Sequence, residues 1–170
     1  MENMTTYNNM KTILEGAKNV LIISHVNPDG DTLGASLAIF LALKNKYADK
    51  NITITVLNKV PELYEFLPAL DNIKFIEDIS DNEIFDVAIA VDVASKDRMS
   101  KALPFFDSAK TTINIDHHKT NNNYGQLNFV EPDASSASEV MFKVLKNCGF
   151  EITQDIADCL YTGIMTDTGS

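Results

Sequence analysis

The sequence predicts an α/β fold: a doubly wound, mostly parallel sheet with helices on both faces. Three observations predict it. Short runs rich in Val, Ile and Thr recur along the chain, and they alternate with longer segments whose apolar residues fall at helical spacing. Strands and helices in alternation build a parallel sheet covered on both sides. Finally, His25, Asp92 and Asp116 each follow the last apolar residues of one such run. In open α/β sheets, ligands gather beyond the carboxyl ends of the strands, at a switch in strand order.

The elements follow in order. Residues 19–24 (NVLIIS) read as a buried strand. Residues 32–46 carry Leu33, Leu37, Phe40, Leu41 and Leu43 near helical spacing. Residues 52–57 (ITITVL) form the next strand, and 61–67 a short helix opened by Pro61. Residues 73–76 form a short strand. Residues 86–91 (DVAIAV) form a strand closing on Asp92, and 111–115 (TTINI) one closing on Asp116. Residues 121–125 (NNNYG) read as a polar loop, and 127–130 as a brief edge strand. Two helices end the chain, at 136–147, stopped by Gly149, and from 153 to about 165. Ser136 and Glu139 are spaced as a capping box.

Composition narrows the function. The chain has 170 residues, 45% hydrophobic and 22% charged, enough for one globular domain with a real core. Its net charge of −10 makes it a poor reader of long duplex nucleic acid, which requires a basic surface. A small substrate is expected instead. No apolar run approaches the length of a membrane span, and no membrane partner is expected. The start, MENMT, has no basic region leading into an apolar one, so the expected location is cytoplasmic. Cys148 and Cys159 lack Cys-x-x-Cys spacing and read as buried or half-buried thiols of a reducing compartment. No phosphate-binding loop of the Gly-x-x-x-x-Gly-Lys-Ser/Thr type is present, which disfavours a nucleoside-triphosphate motor.

The chain has only three histidines, and all lie near carboxylates at strand ends. His25 opens His25-Val26-Asn27-Pro28-Asp29-Gly30-Asp31; the others stand together in Asp116-His117-His118. Imidazole mixed with carboxylate is a ligand set for divalent metals. Pro28 and Gly30 are expected to fix a tight turn on which Asp29 and Asp31 converge, one serving each of two ions. A plain structural reading makes Asp31 the cap of the next helix. Asp92 alone would be an ordinary strand-terminal residue, but a buried carboxylate needs a charged partner. Asp116 suits the orientation of an imidazole, with one histidine on metal and the next toward a phosphate. Asp167 falls at a helix C-terminus, where the dipole disfavours it, and so points to positive charge nearby.

Residues 25–36 (HVNPDGDTLGAS), Val91-Asp92, Asp116-His117-His118 and 163–169 (GIMTDTG) occur in that order. Together they resemble the four motifs of the DHH phosphoesterase superfamily. The resemblance implies that His25, Asp29 and Asp92 hold one metal. It implies that Asp31, Asp92, His117 and Asp167 hold a second, with Asp92 bridging. His118 would face the phosphate, supported by Asp116, as the catalytic pair. Two manganese ions are implied, with magnesium or another divalent ion admitted. The first motif is most similar to the bacterial oligoribonuclease/pAp-phosphatase branch. That branch implies hydrolysis of very short RNAs, and of the 3′-phosphate of 3′-phosphoadenosine 5′-phosphate (pAp), by a metal-activated hydroxide. The partner is then a small nucleotide or very short RNA, and a homodimer is admitted. The alternatives are a cyclic-dinucleotide phosphodiesterase and a non-catalytic metal- or nucleotide-binding module. Members of the superfamily carry a second, C-terminal domain that binds substrate. Residues 1–170 are therefore expected to be the catalytic domain, cut short of that partner domain.

Overall fold

The computed structural model describes residues 2–169. Among them six strands form one parallel sheet: β1 (Asn19–Ile23), β2 (Asn51–Val56), β3 (Ile73–Phe75), β4 (Val87–Val91), β5 (Thr111–Asp116) and β6 (Leu127–Val130). Their spatial order is β3-β2-β1-β4-β5-β6, and every neighbouring pair is parallel. The order reverses between β1 and β4, which is the switch point where such sheets open a crevice.

Five α-helices accompany the sheet: α1 (Glu2–Gly16), α2 (Gly30–Lys46), α3 (Leu103–Ser108), α4 (Ala137–Asn147) and α5 (Gln154–Thr168). β4, and β1 from Val20 on, are apolar because both of their faces are covered. Val20, Ile22, Val87, Ile89, Ile113 and Ile115 point into the larger core, which holds α1, α2, α4 and α5. Leu21, Ile23, Ala88 and Ala90 point the other way, onto Met99, Phe105 and Phe106. Alternation along each strand sorts the side chains between two cores.

The α2–α5 packing depends on glycines. A Cβ at Gly34 would lie 2.3 Å from the carbonyl oxygen of Cys159, so only glycine allows the helices to approach this closely. That approach fixes where the C-terminal turn of α5 ends. Cys148 and Cys159 are buried and unpaired, and burial pushes their thiols up to about 11 and about 12, which makes them unreactive packing groups.

Several local expectations change. α2 begins at Gly30, and its cap is Asp29, whose Oδ1 accepts from the backbone N–H of Asp31 (3.1 Å) and Thr32 (3.0 Å). Asp31 is not that cap; it lies inside the first turn. Gly30 is needed for space rather than for a turn, since a Cβ there would meet the side chain of Thr166 at 2.4 Å. The 61–67 helix shrinks to a 3-10 turn at Glu62–Tyr64; of its apolar side chains Leu67 is buried, while Leu63 and Phe66 stay exposed. Ser136 caps α4 by accepting from Glu139 N at 3.0 Å. The Glu139 carboxylate, however, reaches back to Ser135 N and Oγ, one residue earlier than in a capping box. Several elements lie outside the sequence expectations, among them α3 and the 3-10 turns Leu70–Asn72 and Ile76–Asp78. One is α1, which buries Tyr7, Met10 and Leu14. Another is the 3-10 stretch Lys96–Ala102 that leads into α3.

At the amino edge of the sheet, Asp86 ties three elements together. Its Oδ2 accepts from Lys18 N (2.8 Å) and Asn19 N (3.0 Å), and its Oδ1 pairs with Lys110 Nζ at 2.7 Å. The Lys110 ammonium and those two N–H groups hold its carboxyl well below the usual carboxylate range. A carboxyl depressed in the fold stabilises it above the unfolded value, about 3.9, and loses that contribution as pH falls through the folded value. Asp86→Ala is therefore expected to cost about 2 kcal/mol at pH 7, with the gap to wild type narrowing below pH 4; urea titrations at several pH values measure it. Gly34→Val is expected to cost about 3 kcal/mol by overpacking, read as a lowered midpoint in the same titration.

Candidate metal centre

Three adjacent strands, β1, β4 and β5, hand their next residues to one crevice. His25 lies two residues beyond the end of β1 and is buried. Its Nε2 faces Asp29 Oδ2 at 3.6 Å and Asp92 Oδ2 at 3.5 Å. Burial alone would lower the His25 imidazole, but these two carboxylates outweigh it and push it up to about 9. The ring thus lies in a strongly cation-favouring spot.

Asp92 follows β4 in the left-handed region, at φ 58°. Aspartate tolerates that conformation better than most residues. Its N–H donates to Ile115 O at 2.9 Å, which continues the β4–β5 ladder by one bond. The turn drives its side chain into the protein, where it is 3% exposed. Oδ2 faces His25, while Oδ1 lies 3.8 Å from His117 Nε2 and 3.6 Å from His118 Nδ1. Burial raises the Asp92 carboxyl above its ordinary value despite the His25 hydrogen bond.

Asp31 reaches the crevice from α2 and does two jobs. Its Oδ2 accepts from Ala137 N at 2.7 Å and its Oδ1 from Ser138 N at 2.9 Å, so it closes the start of α4. The same Oδ2 lies 3.9 Å from His117 Nε2. Burial and the nearby Asp92 charge push Asp31 up to about 7, against the pull of those two N–H groups. Gly163 of α5 makes room for this junction: a Cβ there would fall 1.9 Å from Ser138 Oγ and 2.9 Å from Asp31 Oδ1. One turn farther along α5, Asp167 Oδ2 comes within 3.6 Å of His117 Nε2.

Asp116 ends β5 and is fully buried. Its Oδ1 lies 2.7 Å from His118 Nδ1, and its Oδ2 accepts from Asn121 Nδ2 at 2.6 Å. Burial would raise Asp116, but the hydrogen bonds from His118 and Asn121 hold it low. In return, Asp116 raises the His118 imidazole. His117 turns its Nδ1 to Ala134 O at 3.4 Å and its Nε2 to the carboxylates. The two rings do not point apart as extended neighbours would; their centroids lie 4.8 Å apart, edge to face.

All eight residues singled out in the sequence therefore meet in one crevice. Three groups of potential ligand atoms stand out among the described residues: His25, Asp29 and Asp92; Asp31, His117 and Asp167; and Asp92, His117 and His118. Within each, the atoms lie within 4.8 Å of one another. Divalent ions fit this set on two grounds. The donors are carboxylates mixed with imidazoles, and Asp92 Oδ1 is buried without a hydrogen-bond partner among the described residues. An anionic oxygen so placed calls for a cation.

Sequence reasoning missed the polar support behind the centre. Asn114, fully buried in β5, donates to Tyr124 Oη (2.9 Å), and Tyr124 Oη donates to Val93 O (2.7 Å). Asn121 Nδ2 reaches Asn114 Oδ1 at 2.7 Å as well as Asp116. The available signal was Asn114, a polar residue two places before Asp116 on the same face of an otherwise apolar strand. No helix of the described residues is long and apolar enough to cross a membrane.

Comparison with known proteins agrees with this architecture. Residues 19–164 match the family described as DHH family, N-terminal domain. The chain is 27% identical, over 98% of its length, to a probable bifunctional oligoribonuclease and PAP phosphatase NrnA of Streptococcus mutans, of which it covers 51%. It is 31% identical, over 88% of its length, to the bifunctional oligoribonuclease and PAP phosphatase NrnA of Bacillus subtilis, covering 46% of that protein. A crystal structure of an exopolyphosphatase-related protein from Bacteroides fragilis superposes with a TM-score of 0.86 at 28% identity, over 97% of this chain and 50% of that one. The chain thus spans about half the length of the relatives it matches. The match of the family along residues 19–164, on a parallel sheet with these motifs at its carboxyl edge, shows that the chain belongs to the DHH family, in the branch of the NrnA-named relatives.

Proposed function

We propose that this chain is the catalytic domain of a metal-dependent phosphoesterase acting on very short oligoribonucleotides, on the 3′-phosphate of pAp, or on both. Membership of the DHH family and the NrnA-named relatives support the phosphoester class and its dependence on metal. The observation that carries the reading is Asp92. Its buried carboxylate has His25 against one oxygen, His117 and His118 against the other, and no hydrogen bond to that second oxygen among the described residues.

In this reading His25, Asp29 and Asp92 would hold one divalent ion. Asp31, Asp92, His117 and Asp167 would hold another, with Asp92 common to both. Manganese is the expected ion, and magnesium or another divalent ion would fit the same donors. When bound, such ions polarise a phosphoryl oxygen and make water acidic enough to act as a nucleophile near neutral pH.

The chain's own groups do the rest. Ala134 O accepts from His117 Nδ1, which leaves the Nε2 lone pair toward the carboxylates. Asp116 engages Nδ1 of His118 and favours its protonated form. Nε2–H of His118 is then free to donate to an anionic phosphoryl oxygen and to stabilise the charge that builds there. The acidity of the chain suits a substrate with few phosphates, each neutralised locally at the site.

Asp92→Asn tests the reading. Wild type dialysed against manganese is expected to hold close to two ions per chain, and the variant to lose both. Hydrolysis of pAp and of a dinucleotide is expected to fall at least about 100-fold. Full manganese occupancy in the variant would refute the shared role of Asp92. Turnover confined to cyclic dinucleotides would replace the substrate class.

A further inference from the structure

In the loop after the histidine pair, one side-chain amide, that of Asn121, reaches well beyond its own loop. Asn121 is half-buried, and its Nδ2 donates to Asp116 Oδ2 at 2.6 Å and Asn114 Oδ1 at 2.7 Å, with Val93 O at 3.3 Å. Its Oδ1 accepts from Asn123 N at 2.8 Å, which anchors the side chain in its own loop. One amide therefore touches the end of β5, the polar core of β5 and the residue following Asp92.

From this geometry we infer that Asn121 is a positioning residue: its N–H fixes the Asp116 carboxylate so that the other oxygen holds His118 by Nδ1. The inference rests on the phosphoesterase reading for its consequence in catalysis. Its structural half stands alone. A carboxylate with one free oxygen rotates; one tied at both oxygens does not. Asp116 is tied at both, by Asn121 at 2.6 Å and by His118 at 2.7 Å. The hydrogen bond made by one ring nitrogen decides what the other presents, so the order at Asn121 passes to Nε2 of His118, the atom that faces substrate. The contacts to Asn114 and Val93 fix the amide itself, since its hydrogens are aimed by one group inside β5 and one just beyond β4. Loss of an outer partner of this kind typically lowers activity 10–100-fold.

The test uses the whole chain and three variants. Asn121→Ala removes the donor. Asn121→Asp keeps the shape and replaces the donor with an acceptor facing Asp116. Asp86→Ala loosens the opposite edge of the sheet and serves as a destabilised control. The first readout is the Nδ1–H proton resonance of His118 in the metal-free protein at one fixed pH. Its far-downfield position reports the bond to Asp116. It is expected to shift or broaden in both Asn121 variants and to stay in Asp86→Ala. The second is hydrolysis of pAp with manganese: kcat falls about 10-fold or more in both Asn121 variants, with KM within about twofold, and both values hold in Asp86→Ala. An unmoved resonance in either Asn121 variant overturns the inference. So does a kcat in Asn121→Asp equal to that of wild type, because shape alone would then suffice. A wild-type chain that neither binds manganese nor hydrolyses a phosphoester refutes the proposed function instead, and the resonance then decides the positioning of His118 alone.

Discussion

The register between β1 and β4 pairs Ile23 with Ala90 and leaves His25 and Asp92 each two residues beyond that pair. The register between β4 and β5 pairs Val91 with Ile115, so Asp92 and Asp116 come next to one another. The remaining features of the centre depend on these two alignments. Side chains alternate along a strand, so a slip of one residue would turn the set from one face to the other. Because the strands are parallel, all three deliver their ligands at the same edge. The reversal of order between β1 and β4 sends the chain to opposite sides there, and the crevice follows from that divergence.

Helices complete the centre by their starts and ends. α2 begins on Asp29, α4 begins on the carboxylate of Asp31, and α5 brings Asp167 in its last turn. Placing acid groups at two helix N-termini is favourable in itself, which offsets part of the repulsion among carboxylates gathered so closely. Asp167 gains nothing of the kind at its helix end. Its position makes sense through His117, and through whatever positive charge His117 shares.

Much of the fold was legible because both cores demand it. Apolar, β-branched runs such as 87–91 and 111–115 read as strands covered twice, and α4 carries a readable cap at Ser136 and stop at Gly149. The site was legible for a different reason: histidine is scarce here, and each one stands beside aspartates. What stayed hidden was decided by contacts distant in sequence. Asp31 looks like a local cap, but its partners Ala137 and Ser138 lie more than a hundred residues away. Asn121 looks like part of a polar loop until Asp116 is seen against it. In α1, Tyr7, Met10 and Leu14 have helical spacing among Thr and Asn, and the helix is held by packing such as the stacking of Tyr7 on Phe129 at 5.2 Å, not by propensity.

Asp92 has one more consequence, for the history that a sequence records. Its backbone sits in a conformation that asparagine and glycine adopt with equal or greater ease. Its charge is buried, and one oxygen is left unsatisfied by the protein. Asp29 and Asp31 would outlast a loss of chemistry, because helices rest on them. Asp92 caps no helix, and in a lineage released from binding cations asparagine would keep its backbone conformation without its buried charge. Among copies and descendants of such domains, the aspartate after β4 is thus the residue whose survival testifies to continued selection for a working centre.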